Sequence, residues 1–270
     1  GTNEERGSKC MKRYVELGED LPVAGFTPDA DYPIINAEKG IITYTVSMPF
    51  APSGDMKITF LEGGMAANVV MAEVTAVIED PRPECRARVM AAAKAWKGPE
   101  GSSLEAAEDG HKVTLLMKGR PAHGSTPEKG VNAFACLADF MKEVRLKGEQ
   151  GDFFNAFNEA VAFETDGKSL GASMKDEISG PLTACVGVVK AEGGRASFTV
   201  NLRYPVTAAE EAVTGPMEAT FSRLGMKVES ASKSRPLYMP PESRLVQALR
   251  KVYAEETGQE AMLLAIGGGT

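Results

Sequence analysis

One long stretch constrains this chain more than anything else in it: the region between Lys39-Gly40 and the prolines at 236, 240 and 241. At Glu38-Lys39-Gly40 the chain changes character, and Ile41-Ile42-Thr43-Tyr44-Thr45-Val46 reads as a β-branched strand. Beyond it, apolar runs of period two alternate with runs near period 3.6. Strands are expected at 41–46, 112–118, 183–189, 196–203 and 226–230. Helices are expected at 65–79, 84–96, 127–144, 151–164 and 207–224. Such alternation predicts the α/β class, with sheets covered by helices. The segment before it holds a short helix at 9–15, stopped at Gly18. The segment after it holds an amphipathic helix from Ser243 or Glu242, with Leu245, Val246, Leu249, Val252 and Tyr253 apolar, then a buried strand at 262–266. Three segments follow: 1–40 and 235–270 as two pieces of one domain, and 41–234 as a large α+β insert in two halves. One half carries His123 and the other Arg203.

Composition removes several functions. The net charge of −7 argues against a nucleic-acid partner, since phosphate binding needs clustered Lys and Arg. No polybasic patch or apolar run of ~20 residues suits a membrane. The four cysteines, Cys10, Cys85, Cys136 and Cys185, lie far apart. They read as free, mostly buried thiols of a reducing, cytoplasmic setting.

The chemistry-bearing residues are few. Glu4 and Glu5 sit at an expected strand-to-helix turn, about 100° apart. One could face a metal and the other a metal-bound water; equally, both could complement a helix N-terminus capped by Thr2 or Asn3. Asp29 and Asp31 share a side of a proline-bracketed loop, or simply build a turn. His123 precedes Thr126-Pro127, an expected N-cap and first helical residue. The helix field there would favour a neutral imidazole that still donates one hydrogen bond. Phe198, Val200 and Leu202 share one face of their strand, and Arg203 falls on the other. Gly267-Gly268-Gly269 either lets backbone approach a ligand or makes a plain turn.

In order along the chain stand GTNEE, FTPDADYPIINAEKGI, GRPAHGSTPEKGVNA, NLRYP and AIGGGT. Together they resemble the PepV-type dipeptidases of the aminoacylase/carboxypeptidase metallopeptidase family, over essentially the whole chain. The resemblance implies hydrolysis of dipeptides or related N-acyl amino acids at two zinc ions. Glu4 would be the general base, Glu5 and Asp29 metal ligands, and Asp31 a turn or supporting residue. His123 would hold the oxyanion, Arg203 the substrate carboxylate, and Asn68, Gly267, Gly268 and Gly269 would contact substrate. The insert would be a lid of the doubled kind, supplying His and Arg within one chain, so a monomer is expected. The family's other metal ligands, upstream of GTNEE and downstream of GGGT, are absent. The chain is therefore expected to be an internal piece of a longer enzyme, binding zinc weakly and inactive alone. An N-acyl or N-carbamoyl amino acid amidohydrolase, and a non-catalytic association module, are the alternatives.

Overall fold

The computed structural model describes residues 9–18, 20–28 and 31–268. Two compact units emerge. One holds the described residues up to Ile34 together with Met239–Leu263; the other holds Ile35–Tyr238 with residues 264–268.

In the smaller unit, α1 spans Lys9–Glu16 and Gly18 ends it in a left-handed conformation (φ +70°). A longer helix, Arg244–Thr257, begins where the Ser243 hydroxyl accepts the Val246 N–H. It stops at Gly258 (φ +69°), whose N–H bonds the Ala254 carbonyl. Of its apolar stripe only Val246 is buried, and Val252 is exposed.

The larger unit is built on an eight-stranded antiparallel sheet. Its strands in chain order, after β1 (Ile34–Glu38), are β2 (Gly40–Pro49), β3 (Lys57–Gly63), β4 (Glu73–Glu79), β5 (Ser103–Asp109) and β6 (Lys112–Lys118). The short pair β7 (Lys175–Asp176) and β8 (Gly180–Pro181) stands apart. Then come β9 (Thr183–Glu192), β10 (Arg195–Tyr204) and β11 (Lys227–Ser234). The spatial order is β11-β2-β10-β9-β3-β4-β6-β5. Two four-stranded halves thus meet at β9–β3, where the register is Glu62↔Lys190 and Gly63↔Val189. A small sheet joins β1 to β12 (Leu237–Tyr238) and β13 (Leu263–Ile266).

The helices α2 (Pro83–Ala95), α3 (Ala133–Val144), α4 (Gly148–Ala160) and α5 (Glu210–Arg223) pack on the sheet face made by Ile42, Tyr44, Val46, Val74, Ala76, Ile78, Val113, Leu115 and Phe198. Phe50, Phe134, Phe153, Phe154, Phe157 and Phe198 interlock at its centre. Phe134 and Phe157 centroids lie 4.4 Å apart, and Phe157 meets Phe198 edge-on at 5.2 Å. Gln150 is fully buried there and satisfied: its Oε1 accepts the Ile58 N–H at 2.8 Å and its Nε2 donates to the Ile58 carbonyl at 2.8 Å.

Four expectations change. Residues 65–79 are a turn-rich loop followed by β4, not a helix. Val74, Ala76 and Ile78 alternate inward between β3 and β6, so period two won over an apparent helical stripe. The expected helix at 127–144 is a one-turn 3₁₀ segment, Pro127–Lys129, and then α3. Thr126 makes no capping bond; Asn132 caps instead, its Oδ1 accepting the N–H groups of Phe134 and Ala135. β13 is half-exposed, not buried. Strand β5 forms where no element is expected, because Glu105, Ala106 and Ala107 pair with Leu116, Leu115 and Thr114 of β6.

Candidate functional site

The site lies on the polar face of β10, opposite the helices. Period two carries Asn201 and Arg203 to that face together while Val200 and Leu202 enter the core. Arg203 is only 4% exposed, a rare state for a guanidinium. Its Nε donates to Asn201 Oδ1 at 3.1 Å, and its Nη1 donates to the Gly267 carbonyl. Asn201 in turn donates through Nδ2 to Thr43 Oγ1 at 2.7 Å. Burial lowers the Arg203 pKa, but a guanidinium remains charged at any accessible pH.

Above this floor runs the turn of His123. The loop after β3 and the 120s segment lie side by side. Gly124 N–H bonds the Asn68 carbonyl at 2.7 Å, Val70 N–H bonds the Ala122 carbonyl at 2.9 Å, and Val69 faces His123 across an antiparallel bridge. Asn68 and His123 are thereby neighbours, both exposed overall, although the imidazole ring itself is partly desolvated. From below, the Thr183 hydroxyl donates to the Gly124 carbonyl at 3.1 Å. Any Cβ on Gly124 would lie 2.9 Å from the Asn68 carbonyl oxygen and 3.1 Å from Asn201 Oδ1, so only glycine lets the turn sit this low.

The tautomer of His123 follows from its partners. Ser125 N–H points at Nδ1 (3.3 Å), and Ser125 Oγ lies 2.7 Å from the same nitrogen. A backbone N–H can only donate, so Nδ1 is the acceptor and the ring proton sits on Nε2. Burial lowers the imidazole pKa, and the Arg203 charge lowers it further. The expected neutral ring is retained, but its cause is burial and Arg203, not the N-terminus of a long helix.

Gly267 and Gly268 pass between these groups. A Cβ on Gly267 would meet the Ser125 Cβ at 2.6 Å, and one on Gly268 would come within 4.0 Å of Arg203 Nη1. Lys39 stands nearby: its N–H bonds the Ile266 carbonyl at 3.0 Å and its Nζ donates to the Pro181 carbonyl. Burial lowers the Lys39 pKa, against the opposing pull of Asp176 and Glu128.

The structure thus brings together His123, Asn68, Arg203, Gly267 and Gly268. Glu4, Glu5, Asp29 and Gly269 lie outside the described residues; Asp31 is exposed. Among the described residues no group of three or more His, Cys, Asp or Glu gathers to hold a metal. A cavity of about 290 Å³ bounded by Val70, Pro127, Glu128, Phe163, Glu164 and Cys185 does not include His123 or Arg203 in its walls. Sequence reasoning missed Asn201, Ser125, Thr43 and Thr183. Asn201 was legible, two residues before Arg203 in the alternation; the others come from distant strands and turns. All four cysteines are free; Cys136 and Cys185 are buried, Cys85 is half-buried, and Cys10 is exposed. Burial pushes the Cys185 thiol up to about 12. No described helix is long and apolar enough to cross a membrane.

Known proteins place the chain. The Beta-Ala-Xaa dipeptidase of Lactobacillus delbrueckii subsp. lactis is 31% identical over 272 residues, matching 100% of this chain and 57% of its own length. YtjP of Bacillus subtilis (strain 168), provisionally named a dipeptidase, is 33% identical over 274 residues, matching 100% of this chain and 58% of its own. The chain spans a little over half the length of the curated relatives it matches. No family profile matches it. Among solved structures, the aminoacylhistidine dipeptidase from Vibrio alginolyticus overlaps 87% of this chain and 52% of its own, at 12% identity and a TM-score of 0.43. That likeness is too weak to carry an argument. By sequence, the whole of this chain is similar to these dipeptidases, in keeping with the PepV-type resemblance of its five motifs.

Proposed function

We propose that this chain serves a zinc-dependent dipeptidase acting on dipeptides or related N-acyl amino acids, and that the site on β10 grips the substrate. One observation carries the reading: a buried guanidinium, Arg203, lies against glycine backbone and close enough to the neutral His123 to shift its pKa. Arg203 would take the substrate's C-terminal carboxylate, for which a planar guanidinium is better shaped than an ammonium. His123 would present its Nε2–H to the oxygen of the attacked carbonyl as charge develops there. Asn68 flanks that donor, and Gly267–Gly269 let backbone approach the substrate. Glu4 is the general base in this reading, and Glu5 and Asp29 supply carboxylate oxygens of the kind zinc accepts. Bound zinc would polarise the carbonyl and acidify the hydrolytic water. His123 and Arg203 come from one chain, which supports a monomer, and the free thiols fit a cytoplasmic setting.

The test uses the full-length protein. Arg203→Ala should raise KM for a dipeptide by tenfold or more, because it removes an interaction already made with the ground state. The penalty should shrink when the dipeptide carries a C-terminal amide. Equal penalties on both substrates would remove the carboxylate role.

A further inference from the structure

Arg203 is held before any substrate arrives. A guanidinium offers two edges to a carboxylate, the side edge of Nε and Nη2 and the end edge of Nη1 and Nη2. Here Asn201 Oδ1 accepts the Nε hydrogen, which closes the side edge. Among the described residues Nη2 has no partner, while Nη1 reaches the Gly267 carbonyl. Asn201 is itself only 3% exposed, and its Nδ2 is anchored on the Thr43 hydroxyl. Arg203 Nε can only donate, so Oδ1 must face it, which leaves Nδ2 for the Thr43 oxygen. The flipped amide would set two donors, Nδ2 and Nε, against each other. The same Oδ1 lies beneath Gly124, so one buried side chain touches both the arginine and the floor of the His123 turn.

We propose that Asn201, anchored by Thr43, is the positioning residue of the substrate-carboxylate site: it turns the Nη1–Nη2 edge of Arg203 toward the ligand. This rests on the dipeptidase reading given above and names a residue that reading does not use. Asn201 touches no substrate; it acts through Arg203.

Asn201→Asp keeps the shape and replaces a neutral acceptor with an anion paired to Nε. The full-length variant should show KM for alanyl-alanine raised about tenfold, kcat within about twofold of wild type, and KM for alanyl-alaninamide unchanged. Thr43→Val leaves the asparagine but removes the oxygen that anchors its Nδ2, so its hold on the Arg203 Nε loosens. It should raise KM for alanyl-alanine several-fold, again sparing the amide, and Thr43→Ser should restore it. A purely structural role would shift both substrates together with the melting temperature. An unchanged KM for alanyl-alanine in both Asn201→Asp and Thr43→Val, or equal shifts on the two substrates, would overturn the proposal. If Asn201→Asp does not fold, the Thr43 pair decides by the same criterion. Should Arg203→Ala discriminate the two substrates while these variants do not, only the role of Asn201 falls. Should Arg203→Ala also fail to discriminate, the carboxylate reading itself falls.

Discussion

In the proposed reading, His123 can donate its hydrogen bond only while its ring proton is on Nε2 and its Nδ1 is bare. The Ser125 N–H enforces that tautomer, and burial with the Arg203 charge keeps a second proton off. A depressed folded-state pKa means that the folded protein binds this proton less readily than the unfolded chain. The neutral ring therefore favours the fold above the unfolded value of about 6.5, and that contribution is lost as pH falls through the folded value. In an NMR titration the His123 midpoint should lie below about 6.5. Arg203→Gln should move it upward; a midpoint indifferent to Arg203 would contradict this electrostatic picture. In kinetics, His123→Ala should lower kcat by about 10²–10³ with little change in KM, the pattern of a donor used in the transition state.

Elements are held at their ends by side chains that propensity does not reveal. Asn132 caps α3 with Oδ1 and ties it to β9 with Nδ2, which donates to the Val186 carbonyl at 2.7 Å. Asn132→Ala should cost about 1–3 kcal/mol in denaturant unfolding, the range for a cap plus a buried bond. Thr126→Ala should stay within about 0.5 kcal/mol, since that hydroxyl caps nothing. Asp80, between β4 and α2, is clasped by Arg82 through Nε–Oδ1 (2.9 Å) and Nη2–Oδ2 (2.7 Å). That guanidinium holds the carboxyl below the usual aspartate range, against the opposing effect of burial. The resulting stability is complete above about pH 3.9 and is lost as pH falls through the lower folded value. Asp80→Asn should therefore flatten the acid limb of the pH–stability curve below about pH 4, and an unaltered limb would show that the clasp contributes little.

In the larger unit the two halves of the sheet meet where Gly64 and Gly187 approach. A Cβ on Gly64, already at φ +78°, would fall 1.8 Å from the Gly187 carbonyl oxygen. One on Gly187 would fall 2.2 Å from the Ala66 carbonyl oxygen and 2.5 Å from the Ala67 Cα. The loop leading to Asn68 is thus seated on Gly187. Gly187→Ala must push backbone, not a flexible side-chain tip, and should destabilise by about 1–3 kcal/mol, visible as a lower Tm. It should also reduce activity by displacing Asn68; a variant with wild-type Tm and turnover would refute the close approach. Deeper in the core, Phe134 touches Phe153, Phe154 and Phe157. Phe134→Ala should cost about 3–5 kcal/mol by the same measurement.

The sequence by itself determined the likeness to a family, through five motifs in one order, and the class of fold, through the alternation of its apolar periods. It also determined most strands and helices whose period repeats over several residues: β2, β6, β9, β10, α2, α4 and α5. Local chemistry sufficed there because the pattern of burial is written in the spacing of the side chains. Tertiary structure decided the rest. Residues 73–79 became a strand because β3 and β6 flank them, and β-branched residues that imitate a helical stripe pair as readily. The first helical residues after His123 gave way to one 3₁₀ turn, because Asn132 offers a better cap held by β9. An arginine at a strand end, usually solvated, became buried, because the His123 turn and the Gly267 backbone lie close around it. Asn201 and Thr43 are 158 residues apart in sequence and 2.7 Å apart in space. No local pattern encodes that distance; it exists only because β10 pairs with β2 in the register that sets Asn201 opposite Thr43.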